Sequence, residues 1–302
     1  MLVVMALGGN ALLRRNEPPR ADIQRKNILE AVAKSVAPVA RAHDLVVTHG
    51  NGPQVGLLAL QTAAYRAVSP YPLDVLGAES QGMIGYLIEQ ALAKELPDRE
   101  VATLLTQVEV DPADPAFVAP TKPIGPIYGI EEAQALAARN GWAFVWENGG
   151  SRRVVASPAP KRIRELTTIR LLVKAKVIVI CAGGGGIPVA VTAEGGLRGV
   201  EAVIDKDHSA ALLAEQLQAD VLLLLTDVSA VWTEWPRSPT SRPIGRTTPA
   251  ELTGYAFAPG SMGPKVAAAC RFAERTGRIA AIGALEEAQA ILEGRAGTIV
   301  QG

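Results

Sequence analysis

Lys206 and Lys265 each stand where a lysine is electrostatically out of place. Both fall in the first turn of a predicted helix, where a cation opposes the helix dipole at a cost of a few tenths of a kcal/mol. One explanation is an anion shared between each lysine and the helix N-terminus. The ordinary alternative is an exposed lysine whose head reaches water. Asp207, next to Lys206, either orients a lysine or serves as a helix-start carboxylate that the dipole favours.

Glycine-rich turns supply the other half of the signal. The apolar run Val177–Ile180 leads through Cys181-Ala182 into four consecutive glycines, Gly183 to Gly186. Leu2–Leu7 leads into Gly8-Gly9-Asn10, and Leu45–His49 into Gly50-Asn51-Gly52-Pro53. Each run reads as a buried strand that delivers a turn whose backbone N–H groups can approach a ligand closely. In an open parallel sheet, ligands bind at the carboxyl ends of strands, so three such ends would line one anion-binding crevice. None of the turns fits the G-x-x-x-x-G-K-[ST] or G-x-G-x-x-G pattern.

The remaining polar candidates are weaker. Thr226-Asp227 lies just past the apolar run Val221–Leu225 and caps a helix or lines a pocket. His49 reads as a base or, more simply, as a packing and hydrogen-bonding residue. Arg152-Arg153 is an anion clamp or a solvated pair on a hairpin. No Ser/His/Asp or Cys/His arrangement argues for covalent catalysis. Phosphoryl transfer requires positioning and positive charge more than covalent help, and glycine loops with lysines supply both.

Composition sets the outer limits. The chain has 302 residues, with Lys+Arg and Asp+Glu balanced at 30 each. That balance argues against nucleic acid or a membrane surface as the main partner. Cys181 and Cys270 sit in a strand-like and a helix-like run and read as small apolar residues, not a disulfide. The three histidines show no metal-ligand spacing. The N-terminal stretch has no basic segment, and its apolar run is broken by glycines, so a cytoplasmic protein without a signal peptide is expected.

Several elements must position these groups. Helical spacing runs from Asp22 to Ala42, from Gln54 to Ala67 and from Leu73 to Leu96. The last carries glycines at 77, 82 and 85, each costing about 1 kcal/mol relative to alanine inside a helix; tight packing within one subunit or a dimer contact would offset that. Val101–Val108 is a strand candidate. Prolines at 112, 115, 120, 123 and 126 exclude a helix or central strand from Asp111 to Tyr128. A helical piece (Glu131–Arg139) and a hairpin turning at Asn148-Gly149-Gly150 follow, so residues 119–157 read as an excursion from the main sheet, a lid-like subdomain within a single 1–302 domain. Arg162–Lys174 reads as helix, Gly195-Gly196 as a hairpin turn, Val200–Ile204 as a strand, and His208–Gln218 as helix. After the Val221–Leu225 strand come a Pro- and Arg-rich loop (Trp235–Thr248), a Gly/Pro loop (Phe257–Pro264), the helix Lys265–Thr276, the strand Ile279–Ile282 and the helix Leu285–Leu292. Strands alternating with helices predict an α/β fold with a mainly parallel central sheet covered on both faces.

At these residues the chain resembles the carbamate kinases of the amino acid kinase superfamily. The matching segments are ALGGNALL at 6–13, VVTHGNGPQVG at 46–56, YPLDVLGAESQGMIGYLIEQAL at 71–92, TQVEVDPADPAF at 106–117, PTKPIGPIY at 120–128, AGGGGIPV at 182–189, GVEAVIDKD at 199–207, LTDV at 225–228 and FAPGSMGPK at 257–265. The resemblance implies a three-layer αβα sandwich with a small protruding subdomain, a homodimer, and Mg²⁺-dependent phosphoryl transfer between ATP and carbamate, giving ADP and carbamoyl phosphate. By the same resemblance Gly8, Gly9, Asn10, Gly50, Asn51 and Gly52 hold carbamate and the transferring group. Lys206 and Lys265 neutralise phosphates, Asp207 orients lysines, and Lys122 reaches in from the excursion. Gly183, Gly184, Thr226, Asp227, Met262 and Gly263 lie near the nucleotide, with no protein side chain as a metal ligand.

Three departures stand out against the family pattern. The Trp expected before Arg152-Arg153 is absent, Ala156 replaces a usual Pro, and Thr253–Phe257 is shortened. Sister acetylglutamate kinases carry K-x-G-G in the first loop, where this chain has Ala6-Leu7-Gly8-Gly9. The alternatives are a sister kinase acting on another carboxylate or phosphate, and a nucleotide-binding regulator without catalysis; the retained Lys122, Lys206, Asp207 and Lys265 speak against the latter.

Overall fold

The computed structural model describes residues 1–14, 17–65, 69–147, 149–234, 238–257 and 261–302, and the side chain of Asn10 is outside that description. Among the described residues the main sheet runs in the order Arg246–Thr247, Thr298–Val300, Ile279–Ala284, Val221–Thr226, Leu2–Leu7, Asp44–His49, Ile178–Ile180, Val101–Thr103. Every neighbouring pair is parallel except Ile279–Ala284 with Thr298–Val300. Successive strand residues point to opposite faces, so one strand feeds two cores. Val4 and Ala6 pack with Leu213, Ala269 and Phe272 on one side; Val3, Met5 and Leu7 pack with Val36, Ile84 and Ile88 on the other. The result is a three-layer αβα sandwich. No helix among the described residues is long and apolar enough to cross a membrane.

Besides the two-stranded ribbon of Val231–Trp232 with Pro243–Ile244, two larger sheets flank this core among the described residues. One runs Leu197–Gly199, Ile187–Val191, Gln107–Val110, Pro160–Ile163. The other is the excursion, an antiparallel sheet in the order Lys122–Tyr128, Gly150–Val155, Ala143–Glu147, with the helix Ile130–Asn140 between its first two strands in sequence. Its prolines, 123 and 126, sit on an edge strand that bulges between Ile124 and Ile127, where a missing N–H is tolerated. The excursion rests directly on the helix Gly52–Ala64. A Cβ at Gly56 would lie 2.4 Å from the Gly125 Cα, so only glycine permits this approach. Gly56→Ala is therefore expected to push the excursion off its seat, read as a lower melting temperature and faster hydrogen exchange over 122–128.

The structure corrects several expected boundaries. Val101–Val108 is not one strand: Val101–Thr103 stays in the main sheet and Gln107–Val110 joins the second. Thr106, at the switch, is clamped by Gln81, which accepts its N–H at 2.9 Å and donates to its carbonyl at 3.2 Å. Val200–Ile204 forms no strand, only a bridge of Ala202 with Ala156, because this segment seats the excursion. Arg162–Lys174 divides into the end of the strand Pro160–Ile163 and the helix Leu166–Lys174. The helix expected over 22–42 contains a π turn at Val32–Val36, just ahead of Pro38, which has no N–H to give to the preceding turn. Helices begin earlier than expected at Gly52, Lys206 and Met262, and the expected helix at 285–292 opens with a 3₁₀ turn, Leu285–Glu287. Ala67, Asn148, and parts of two expected loops (235–237 and 258–260) lie outside the described residues.

Candidate active site

Three adjacent parallel strands, Leu2–Leu7, Asp44–His49 and Ile178–Ile180, end at the same edge of the main sheet. Their turns therefore meet. Gly9, Gly50, Asn51, Gly52 and Gly184 line one cavity of about 220 Å³, together with Lys122, Asp205, Lys206, Asp207 and Lys265. Gly184 has φ +65°, and a Cβ there would lie 2.1 Å from the Asn51 Nδ2. Gly184→Ala thus combines backbone strain with a clash against a cavity residue. It is expected to cost about 1–3 kcal/mol of stability and to weaken anion binding, checked by denaturant unfolding and by titration with nucleotide.

Asn51 is held from behind. Its Nδ2 donates to the Ser80 Oγ at 2.8 Å, and Ser80 donates to the Gly77 carbonyl at 2.8 Å. The helix Gly52–Ala64 then starts with Pro53 in its first turn, which leaves its N-terminal N–H groups directed at the cavity.

The charged groups arrive on two helices and one strand. Lys206 is the first residue of the helix Lys206–Leu217, and Lys265 is the fourth of Met262–Thr276. Asp207 lies between them, 2.6 Å from the Lys206 Nζ and 3.1 Å from the Lys265 Nζ, with its side chain only 4% exposed. Burial pushes the Asp207 carboxyl up, but the two lysine charges and their hydrogen bonds outweigh it and hold the group well below the usual carboxylate range. Burial pulls Lys206 down, and the like charge of Lys265 adds to this, although Asp207 opposes both. Lys122, on the excursion's edge strand, donates to the Asp205 Oδ2 at 2.5 Å. The cavity thus holds three ammonium groups against two carboxylates, an excess of one positive charge.

A second pocket adjoins the first. It is lined by Thr226, Asp227, Val228, Trp232, Phe257, Met262 and Lys265, so Lys265 faces both. Thr226 donates to Asp227 at 3.2 Å. The lining is largely apolar and suits a flat base, while its shared lysine sits toward the cationic cavity. Gly8 lines neither of these pockets; it borders a third cavity with Arg14, Thr226 and Asp227.

Not every expected site residue converges. Gly183 is buried beneath the His49 ring, which a Cβ there would reach at 2.3 Å. Gly184 lines the cationic cavity and not the apolar pocket. Gly263 belongs to the first turn of its helix and lines neither. Asn10's side chain is outside the described residues.

Arg152 donates to the Gly125 carbonyl at 3.1 Å, and Arg153 pairs with Glu201 at 3.1 Å while stacking 3.8 Å from the Trp142 ring centroid. Arg153 is buried and held inside the excursion, whereas Arg152 is about a third exposed and also pairs with Glu147 at 3.6 Å. Asp205 was not anticipated as a site residue. An Asp immediately before a helix start is an N-cap signal, but nothing local announces its reach to residue 122.

His49 is 1% exposed, and its Nδ1 lies 2.9 Å from the Gly50 carbonyl. Burial pushes its pKa down from 6.5 to about 4, with the carbonyl contact opposing. It is therefore neutral at pH 7 and a packing residue. Because the unfolded chain takes up this proton first, stability is full above pH 6.5 and falls as pH drops toward 4. The slope contributed is up to about 1.4 kcal/mol per pH unit. Urea midpoints across this range are expected to show the fall, and His49→Asn to flatten it.

The chain belongs to the amino acid kinase family, whose profile matches residues 1–282. Within that family it has relatives, about half identical over nearly its whole length, that are carbamate kinases. That of Rhizobium meliloti (strain 1021) is 54% identical, covering 99% of this chain and 93% of the relative, and that of Escherichia coli (strain K12) is 51% identical, covering 99% and 98%. The solved structure of carbamate kinase from Giardia lamblia bound to AMP-PNP superposes with a TM-score of 0.91 at 41% identity, covering 99% of this chain and 98% of that one.

Proposed function

We propose that this protein is a carbamate kinase, transferring a phosphoryl group reversibly between ATP and carbamate to give ADP and carbamoyl phosphate. The observation that carries the reading is the convergence of Lys122, Lys206 and Lys265 on a glycine-floored cavity with excess positive charge. A transferring phosphoryl group spreads negative charge over its oxygens, and preorganised cations beside it lower the barrier. The apolar pocket takes the base, Lys265 spans the phosphates between the two cavities, and the glycine turns with Asn51 receive carbamate.

Carbamate brings its own anionic oxygen as nucleophile, so no general base is required. His49 does not serve as one: it is enclosed, lies outside the cavity lining, and burial makes its imidazole a weak base with a pKa of about 4. Both carboxylates of the cavity are already engaged by lysines. No cluster of three His, Cys, Asp or Glu among the described residues could hold a metal. We assign Mg²⁺ to the nucleotide's phosphates, entering as part of the substrate.

Ala6 is fully buried in its strand, so the first loop offers no lysine, and Lys122 supplies that charge from the excursion. This distinguishes the site from that of an acetylglutamate kinase. ADP formation with ATP, Mg²⁺, bicarbonate and ammonium, and none above background with acetylglutamate, is the expected result. The opposite preference would overturn the assignment.

We also propose a homodimer formed through the helix Leu73–Glu95. Val75, Met83 and Tyr86 are exposed on it, and a Cβ at Gly82 would meet nothing within 4 Å in this chain, leaving room for a close neighbour. A cytoplasmic location fits the nucleotide substrates and two free cysteines. Tyr86→Glu is expected to shift the protein to monomer in light scattering; an unchanged dimer would move the interface elsewhere.

A further inference from the structure

The segment from 201 to 205 grips the excursion at three points, two of them through carboxylates. Glu201 accepts from Arg153 at 3.1 Å, and Asp205 accepts from Lys122 at 2.5 Å. Between them the Val203 N–H donates to the Ala156 carbonyl at 2.9 Å. The two carboxylates differ in what else they hold and in where they stand. Glu201 also accepts the Leu73 N–H at 2.8 Å and lies outside the cationic cavity. Asp205 lines that cavity and caps the helix Lys206–Leu217, its Oδ1 accepting from the Asp207 and His208 N–H groups at 2.9 and 3.4 Å.

We infer that Asp205 is an exchangeable latch: it holds Lys122 in the ligand-free site and releases it to the transferring phosphoryl group, while Glu201 keeps its tie to the same excursion through Arg153 in both states. The exchange is balanced on both sides. An ammonium with a side chain 30% exposed would be costly to leave unpaired, and Asp205 pairs it until an anion arrives. When Lys122 departs, Asp205 is not orphaned, because its carboxylate remains bonded to two N–H groups at a helix N-terminus, where the dipole favours negative charge. Capping a helix and latching a lysine are thus carried by different oxygens of one side chain, which makes Asp205 a positioning residue and leaves catalysis to Lys122. The release step rests on the phosphoryl-transfer reading; the latch in the ligand-free protein does not.

Hydrogen exchange of the full chain separates the two oxygens. Asp205→Asn keeps a cap acceptor and removes the charge. In the ligand-free protein it is expected to speed exchange of 122–128 and 150–155 about fivefold, the scale of losing a part-exposed ion pair, with exchange of 206–217 unchanged. Lys122→Ala should have a similar effect, and the double variant should be no faster than either single one. With Mg²⁺·AMP-PNP bound, Asp205→Asn should match the wild type, whereas Glu201→Gln should be faster in both states. Unchanged exchange in ligand-free Asp205→Asn, additive effects in the double variant, or a difference that persists with AMP-PNP would each overturn the latch. Asp205→Ser, also a good cap, replaces the first variant if it does not fold. Coupled exchange in a protein inactive on carbamoyl phosphate would contradict the functional reading and leave the ligand-free latch standing.

Discussion

Lys206→Ala is expected to lower kcat by roughly 10²–10³, the scale of losing one preorganised electrostatic contact in a water-poor site, while the protein stays folded. The geometry separates the two effects. Lys206 is held by Asp207 at 2.6 Å, and Asp207 has a second lysine at 3.1 Å. Removing Lys206 therefore leaves the buried carboxylate still paired with Lys265, and the cavity with two ammonium groups against two carboxylates. The lost charge is the excess that a phosphoryl group would neutralise. Lys265→Ala should act on the same scale, with KM for nucleotide raised as well, because Lys265 faces the apolar pocket too. Removing the carboxylate has a different signature. Asp207→Ala sets two buried ammonium groups against each other without a counterion, expected to cost about 3–5 kcal/mol of stability. Steady-state kinetics with a melting curve on each variant check this. Near-normal kcat in Lys206→Ala would remove that residue from the chemistry, and a change confined to KM would mean uniform binding.

Lys122→Ala is expected to lose kcat by about 10²-fold or more with little change in ADP affinity or melting temperature. Lys122 lines the cationic cavity but not the apolar pocket, so it meets the transferring group and not the base. Its strand is anchored independently: Ile124 and Val155 pack with Val55, Ala59 and Leu76, and Pro123 stiffens the edge next to it. Closure of the excursion over both substrates would exclude water and strengthen the lysine's effect. Hydrogen exchange over 119–157 is therefore expected to slow further when ADP and carbamoyl phosphate are both bound. Full activity in Lys122→Ala would end this account of the excursion. Unchanged exchange would reduce Lys122 to a fixed residue.

What could be read from the sequence followed from how local each signal is. A β-branched run ending in glycines specifies a buried strand and a ligand-accessible turn within a dozen residues, so the three loops were legible. Lys206 and Lys265 were legible because a cation at a helix start violates a local electrostatic preference. Long-range choices were not. Val101–Val108 has uniform strand character, and long-range bonds to Thr106 from Gln81, Ala182 and Ile187 hold the point where it divides between two sheets. The strand Thr298–Val300, between the edge strand Arg246–Thr247 and Ile279–Ala284, pairs antiparallel to the latter with nothing in its three residues to announce it. Gly184 looked like any other glycine of its loop, yet its Asn51 neighbour places it in the cationic cavity. Arg152-Arg153 shows the opposite failure. Their type suggested an anion clamp, and only tertiary structure supplies the Trp142 ring and Glu201 that occupy Arg153.

The most direct test of the central claim is ATP formation by the purified protein from Mg²⁺·ADP and carbamoyl phosphate, followed by a coupled assay. Wild-type protein is expected to form ATP in proportion to carbamoyl phosphate consumed, and Lys206→Ala at roughly 10²–10³-fold lower rate. No ATP from folded, Mg²⁺-supplied wild-type protein, or equal rates for the two, would contradict a site in which converging lysines carry phosphoryl transfer.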